Sequence, residues 1–298
     1  MCFFIKILKK FYIIYRNFCK RKRVRYYLRH GQKPWSRGYH DFLWQLVEKT
    51  INNSDLINRF KNSFGLPTLY GKNIGERIIE YPWLISNLPE EPKTLLDAGS
   101  TLNYSEIMNH KKLNNKKIII VNLSHEDYCF WQKDISYLFA DLRQLPFLDN
   151  CFDIITCIST LEHVGMDNTM FYTDDPKHKE SKSRDYLKVI LELKRVLKSG
   201  GTLFITVPFG RYQNLQYLQQ FNQDMIKQVI ETFNGKTTSI DYYRYTKDGW
   251  NISNADECMD MEFFDIHQTK YRNKNSNKDY DPDFAAAARA VACIKLTK

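Results

Sequence analysis

The chain has 298 residues, with 44 lysines and arginines against 34 acids, for a formal net charge of +10. Hydrophobic residues make up 43% and aromatics 14%, enough apolar surface to bury a core, which excludes a disordered chain. The charge is not spread evenly: residues 1–40 carry twelve bases and no acid, while the remaining 258 carry 32 bases and 34 acids. A slightly acidic body disfavours nucleic acid as the partner, because phosphate binding needs a basic face on the body itself. The seven cysteines are scattered and contain no C-x-x-C pair, which points to a reducing compartment and against a disulfide framework or structural zinc.

The first segment, MCFFIKILKKFYIIYRNFCK, lacks the unbroken apolar stretch and small-residue cleavage site of a signal peptide, since Lys6, Lys9 and Lys10 interrupt it. No run of about 18 apolar residues exists, so no helix is expected to span a bilayer. At about 100° per residue, Phe3, Phe4, Ile7, Leu8, Phe11, Ile14, Tyr15 and Phe18 share one face. Lys6, Lys9, Arg16 and Lys20 fall opposite, and KRKRVR follows at Lys20–Arg25. Residues 1–30 are therefore expected to form a basic amphipathic helix lying on an anionic membrane surface. Docking on the chain's own body and contact with nucleic acid are the other readings of the same pattern.

Residues 31–92 are rich in aromatics (Trp35, Tyr39, Phe42, Trp44, Tyr70, Tyr81, Trp83) and predict short helices forming a cap; these rings either cover an acceptor or fill a core. Asn87-Leu-Pro-Glu-Glu-Pro92 sets a boundary, because two prolines stop a helix there. Residues 93–298 alternate between strand-like and helical runs. Strands are expected at Thr94–Asp97, Lys117–Val121, Tyr137–Asp141, Phe152–Ile158 and Thr202–Val207, and a helix at Tyr186–Leu197 closed by Gly200-Gly201 in a left-handed cap. That alternation predicts an α/β fold, with a mainly parallel sheet and helices on both faces. Ile240–Tyr245 and Ala290–Leu296 are further strand candidates, the last one placed at an antiparallel edge.

The polar residues at the strand ends carry the chemistry. TLLDAGS (Thr94–Ser100) is a strand, an acid and a glycine turn, and Gly99 is expected to let a nucleoside approach the backbone. The next strand ends at Asn122, where a polar contact to a ribose is expected. The third ends at Asp141-Leu142, a carboxylate to accept from an adenine amino group and an apolar cover for its ring. The fourth, FDIITCISTLEHV (Phe152–Val164), turns polar at Ser159-Thr160 and Glu162-His163.

In this order the motifs resemble the class I S-adenosyl-L-methionine-dependent methyltransferases, over about residues 94–210. DAGS matches the family's glycine-rich first motif, ADLRQLPF (Ala140–Phe147) and FDIITCISTLEHV its third- and fourth-strand motifs, and ELKRVLKSGGTLFITVPFG (Glu192–Gly210) its fifth strand. The resemblance implies a Rossmann-like fold with a helical N-terminal extension, and S-adenosylmethionine as cofactor held by Asp97, Gly99, Ser100, Asn122, Asp141, Leu142 and Ser159. It also extends to bacterial methyltransferases that accompany surface-polysaccharide or glycan assembly. Two positions depart from the pattern. Thr101 stands where a second glycine is usual, and Asn122 where an acid contacts the ribose, so Glu126 or Asp127 is a candidate substitute. A dinucleotide-binding oxidoreductase would want G-x-G-x-x-G, and this loop offers Gly99 alone.

A hydroxyl nucleophile needs a base, and His163 is the candidate, with Glu162 to orient it, bind the cofactor's amino group or cap the helix. STLEH replaces the Asn/Asp-Pro-Pro-aromatic motif of adenine- and glutamine-amino methyltransferases, which argues against those substrates. Gly165–Arg184 is expected to form part of the substrate wall; Asp167 and Asp174 in it are weighed as metal ligands, but no metal is expected. The sequence thus predicts a cytoplasmic O-methyltransferase of a glycan or glycolipid precursor at the inner membrane surface. A methyltransferase of another small molecule or of RNA, and a non-catalytic membrane-tethered cofactor-binding module, are the alternatives.

Overall fold

The computed structural model describes residues 2–126, 128–173 and 175–298, with the side chains of residues 2–13 and Gln132 outside the description. Helices α1 (Cys2–Arg29), α2 (Tyr39–Ile51), α3 (Ser54–Lys61) and α4 (Arg77–Asn87) come first. The apolar runs that follow form β1 (Thr94–Ala98), β2 (Lys117–Asn122), β3 (Ser136–Phe139), β4 (Phe152–Ile158) and β5 (Leu197–Pro208). They lie parallel in the order β3-β2-β1-β4-β5. The connections are α5 (Ser105–Met108), after β1, and α6 (Thr169–Tyr172) with α7 (Tyr186–Val196), between β4 and β5. A small hairpin of β6 (Gln213–Asn214) and β7 (Gln219–Gln220) leads into α8 (Gln223–Phe233), β8 (Lys236–Thr246), β9 (Gly249–Ser253), α9 (Ala255–Cys258) and β10 (Ala290–Thr297).

Successive strand residues point to opposite faces, so each apolar run feeds two cores. Leu95, Ile118, Ile154 and Phe204 face a core shared with α2 and α4 through Val47, Ile78, Ile79 and Trp83. Leu96, Val121, Ile155 and Ile205 face the other, closed by Val189, Ile190 and Leu193 of α7 and Val229 and Phe233 of α8. The aromatics of residues 31–92 are divided: Tyr39, Tyr70, Tyr81 and Trp83 are buried in the first core, with Trp35, Phe42 and Trp44 half-buried against it.

Two expectations are corrected. The antiparallel end exists, but Ala290–Thr297 is not its outer strand: β10 pairs with β5 on one side and β8 on the other, and β9 is the edge. The reason is burial. Val291 to Ile294 is an unbroken apolar run that suits two covered faces, whereas β9 carries Asn251 and Ser253 toward solvent. Gly200-Gly201 does not cap α7, which ends at Val196 with an extended Leu197 after it. The pair lies inside β5 where its register against β4 shifts, and the left-handed φ of +74° at Gly200 makes the bend.

The second half of α1 docks on the body. Val24 and Tyr27 are buried, Arg23 pairs with Asp41, and Lys20 Nζ lies 3.0 Å from Glu106 Oε1. Gly38 lets α2 start against this helix, since a Cβ there would sit 2.1 Å from the Arg23 carbonyl oxygen. On the opposite face Ile14, Tyr15 and Phe18 are 62%, 67% and 53% exposed. The earlier members of the apolar stripe, Phe3 to Phe11, lie outside the described side chains. Among the described residues no helix is long and apolar enough to cross a membrane.

Candidate functional site

The strand order reverses between β1 and β4, and a ligand crevice opens outside the carboxyl ends of strands at such a point. A cavity of about 580 Å³, within the size range of small-molecule sites, lies there. Its wall includes Gly99, Ser100, Asn122, Asp141, Leu142, Ser159 and His163, which come from the carboxyl ends of four strands, β1 to β4, and the turns after them. Asp97 and Glu162 are not on that wall.

Asp97 sits beneath the glycine turn. Its carboxylate accepts from the Leu102 N–H at 2.8 Å, Thr156 Oγ1 at 3.2 Å and Thr101 Oγ1 at 3.3 Å. Burial pushes its pKa up to about 7 while these donors pull it down. Thr101 in the usual place of a second glycine is thereby accounted for: its side chain bonds Asp97, and its carbonyl accepts from Tyr81 Oη at 2.6 Å. Gly99 has φ +111°, and a Cβ there would meet Thr160 Oγ1 at 2.2 Å and Thr160 Cγ2 at 2.4 Å. Glycine is thus required by the neighbouring strand end, before any ligand is considered. Ser100 also has positive φ (+60°), and its buried Oγ has no hydrogen-bond partner among the described residues. A buried orphan hydroxyl on a cavity wall fits a polar ligand group, such as the amino-acid end or ribose of S-adenosylmethionine.

The second strand end answers the question raised by Asn122. Its amide donates to Glu126 Oε1 at 2.6 Å, and Asn103 Nδ2 holds Glu126 Oε2 at 2.9 Å, so a carboxylate stands on the cavity wall four residues downstream. Asp127 lies outside the described residues. At the third end, Arg143 grips both oxygens of Asp141 at 2.6–3.0 Å and also reaches Glu180 and Asp185, each at 2.8 Å. Burial raises the Asp141 pKa, but the Arg143 bonds outweigh it and the net shift is downward.

His163 is held by Nδ1, 2.8 Å from the Tyr217 carbonyl oxygen and 3.1 Å from Asn168 Oδ1. Both partners accept, because the Asn168 amide nitrogen is already donating to the carbonyls of His163 and Met166. Nδ1 therefore carries the proton, and Nε2 keeps its lone pair. Burial lowers the His163 pKa, so the ring is neutral near pH 7. Glu162 does not orient it. Its Oε1 accepts from Ser159 Oγ at 2.7 Å, Oε2 is buried with no partner among the described residues, and burial pushes its pKa up to about 8, which keeps it protonated. In the segment 165–184, Gly165, Asn168, Phe171, Tyr172 and Glu180 line the cavity, while Asp167 accepts from Thr169 Oγ1 and N–H at the start of α6. Asp174 lies outside the described residues, and among the described residues no cluster of three potential ligands could hold a metal ion.

Wall residues that went unread in the sequence include Arg77 of α4 and Tyr104, while Tyr81, one of the aromatics expected to cover an acceptor or fill a core, also lines the cavity. Arg77 Nη1 bonds Glu80 Oε2 at 2.7 Å, and Glu80 Oε1 in turn accepts from Thr206 Oγ1 of β5 at 2.6 Å. Tyr104 stacks on Trp44 with ring centroids 4.1 Å apart. The one available signal was an arginine set among the apolar residues of α4.

Residues 96–205 match the methyltransferase-domain family. An uncharacterized protein of Methanocaldococcus jannaschii is 29% identical over 149 residues, 42% of this chain and 57% of that one. The chain thus spans just over half the length of the curated relative it matches. Similar solved structures include a Burkholderia thailandensis 1,6-didemethyltoxoflavin-N1-methyltransferase with bound S-adenosylhomocysteine, at 13% identity and TM-score 0.39, covering 70% of this chain and 72% of that one. A second is a SAM-dependent methyltransferase of Methanosarcina mazei, at 12% identity and TM-score 0.41, covering 72% and 96%. Family match, strand order and the glycine turn at the switch point agree: residues 96–205 form a methyltransferase domain, whose cofactor is S-adenosylmethionine.

Proposed function

We propose that the chain O-methylates a hydroxyl of a glycan or glycolipid precursor at the inner membrane surface. The observation that carries this is His163, neutral by burial and fixed by the Tyr217 carbonyl with Nε2 free, which is the form a general base needs to take a hydroxyl proton. The cofactor supplies an electrophilic methyl group. In this reading Glu126, steadied by Asn122 and Asn103, accepts from the ribose. Asp141, Leu142 and Ser159 serve the adenine and the wall around it, and Ser100 Oγ and the open donors of Arg77 serve the methionine end. Asp97 acts one layer back, by holding the turn that carries Gly99 and Ser100. Glu162 acts in the same way, as a protonated carboxyl beneath Ser159.

The membrane setting rests on α1. The face that docks on the body (Lys20, Arg23, Val24, Tyr27) is opposite the one that exposes Ile14, Tyr15 and Phe18, so self-docking leaves the apolar stripe uncovered beside the basic run Lys20–Arg25. Apolar rings flanked by lysine and arginine suit anionic headgroups.

The test is methyl transfer from labelled S-adenosylmethionine to extracted lipid-linked glycans, alongside RNA and small-molecule fractions. Label appearing only in RNA, or in small molecules without sugar, would replace the acceptor. Cofactor binding by calorimetry with no transfer to any fraction would favour the non-catalytic module instead.

A further inference from the structure

A second cavity of about 580 Å³ lies next to the first, across the ridge formed by Tyr217 and α6. Phe171 lines the first cavity and its neighbour Met170 the second, and the Tyr217 carbonyl that holds His163 belongs to the residue whose ring walls this second cleft. The floor is Asp265, 5% exposed, whose Oδ1 accepts from Tyr217 Oη at 3.0 Å and from the His267 N–H at 2.9 Å. Its Oδ2 has no hydrogen-bond partner among the described residues. Around it stand the side-chain amides of Asn214, Gln216, Gln268, Asn273 and Asn275, and no lysine or arginine lines the space.

Side-chain amides both donate and accept, and so do sugar hydroxyls; an aromatic face beside them suits the apolar face of a pyranose. Among the described residues His267 is the one basic side chain on the wall, no lysine or arginine offers a fixed positive charge, and the buried Asp265 disfavours a phosphate or carboxylate ligand. We infer that this cleft is a subsite for a neutral, hydroxyl-rich sugar unit, adjoining the unit presented to His163. The inference rests on the glycan acceptor proposed above and extends it: the acceptor is at least two units long and neutral in the unit farther from the methyl group.

The full chain with S-adenosylhomocysteine added, titrated with maltose, lactose, methyl mannoside and methyl rhamnoside under saturation-transfer NMR, tests this. At least one probe is expected to bind at millimolar concentration. Its signal should fall at least fivefold in the Gln268→Ala/Asn275→Ala variant, whose substituted side chains are exposed, while S-adenosylhomocysteine affinity is unchanged. No binding by any probe, binding that survives the double substitution, or displacement by inorganic phosphate each overturns the subsite. The two proposals fail separately in the transfer assay. Methylation of a glycan with an unchanged KM in the double variant removes the subsite and leaves the function. Sugar binding in the cleft without methyl transfer to any glycan removes the function and leaves the subsite.

Discussion

Gly99 shows how a single residue can answer to a cause that its own segment does not display. A glycine after the first strand was legible, but the collision it avoids is with Thr160, 61 residues away, and no local pattern carries that. The distinction has a consequence. Gly99→Ala should destabilise the cofactor-free protein by about 1–3 kcal/mol in chemical unfolding, from left-handed strain plus a forced contact. Unchanged stability with weakened cofactor affinity would return the role to ligand approach. At the other end of the cavity, His163→Ala should lower kcat by about 10²- to 10⁴-fold with cofactor affinity retained. Because burial lowers its pKa, the acid limb of kcat/KM should fall below the ordinary histidine value of 6.5. A limb at or above 6.5 would mean another group is titrating. Arg77 was missed because it sits in a helix before the domain boundary and enters the cavity only through packing. Arg77→Ala should weaken S-adenosylhomocysteine binding about tenfold or more and leave methylthioadenosine, which lacks the amino-acid end, unaffected. Equal loss for both ligands would remove it from the methionine end.

Elements extend the same lesson. The five parallel strands could be read because each is a local apolar run closed by polar residues, whereas the placement of β10 between β5 and β8 depends on pairing across more than forty residues. The loop from Gly165 to Arg184 had no periodicity to read, and one side chain outside it ties it to the end of the third strand. Arg143 ties Asp141 to Glu180 in that loop and to Asp185 at the head of α7. Three carboxylates around one half-buried guanidinium form a network, and such networks hold where isolated surface pairs do not. Arg143→Met should therefore speed tryptic cleavage at Lys177, Lys179 and Lys182 severalfold, with the far-UV spectrum unchanged. Equal cleavage rates would show that the loop is held by its other contacts. At α1, replacing Ile14, Tyr15 and Phe18 with serine should abolish sedimentation with vesicles containing anionic lipid while stability is kept, since all three side chains are exposed. Removing residues 1–29 would be the poorer experiment, because Val24 and Tyr27 are part of the packed body.

Over the whole molecule, the site is built where two cores meet, and that junction buries acids without enough donors to go round. Glu162 is 2% exposed, one of its oxygens has no partner among the described residues, and burial pushes its pKa up to about 8 from an unfolded value of 4.5. A carboxyl whose pKa is raised on folding contributes stability that is full below its unfolded pKa and is lost as pH rises through the folded one. His163 works in the other direction. Its pKa is lowered on folding, so its contribution is full above 6.5 and is lost as pH falls through the folded value. The two slopes oppose each other below pH 6.5, and above it the Glu162 slope alone remains, so these two groups together lower stability between about pH 6.5 and 8. Glu162→Gln separates them. The glutamine oxygen can still accept from Ser159 Oγ, and its amide replaces the protonated oxygen without the possibility of ionising. The variant should match the wild type near pH 4.5 and exceed it by a margin that grows up to about pH 8, because the wild type loses up to about 1.4 kcal/mol per pH unit from this group between its unfolded and folded pKa values. Unfolding free energies at pH 4.5, 6, 7 and 8 read this directly. Parallel curves for variant and wild type would mean that Glu162 is ionised in the fold, and that a donor outside the described contacts reaches Oε2.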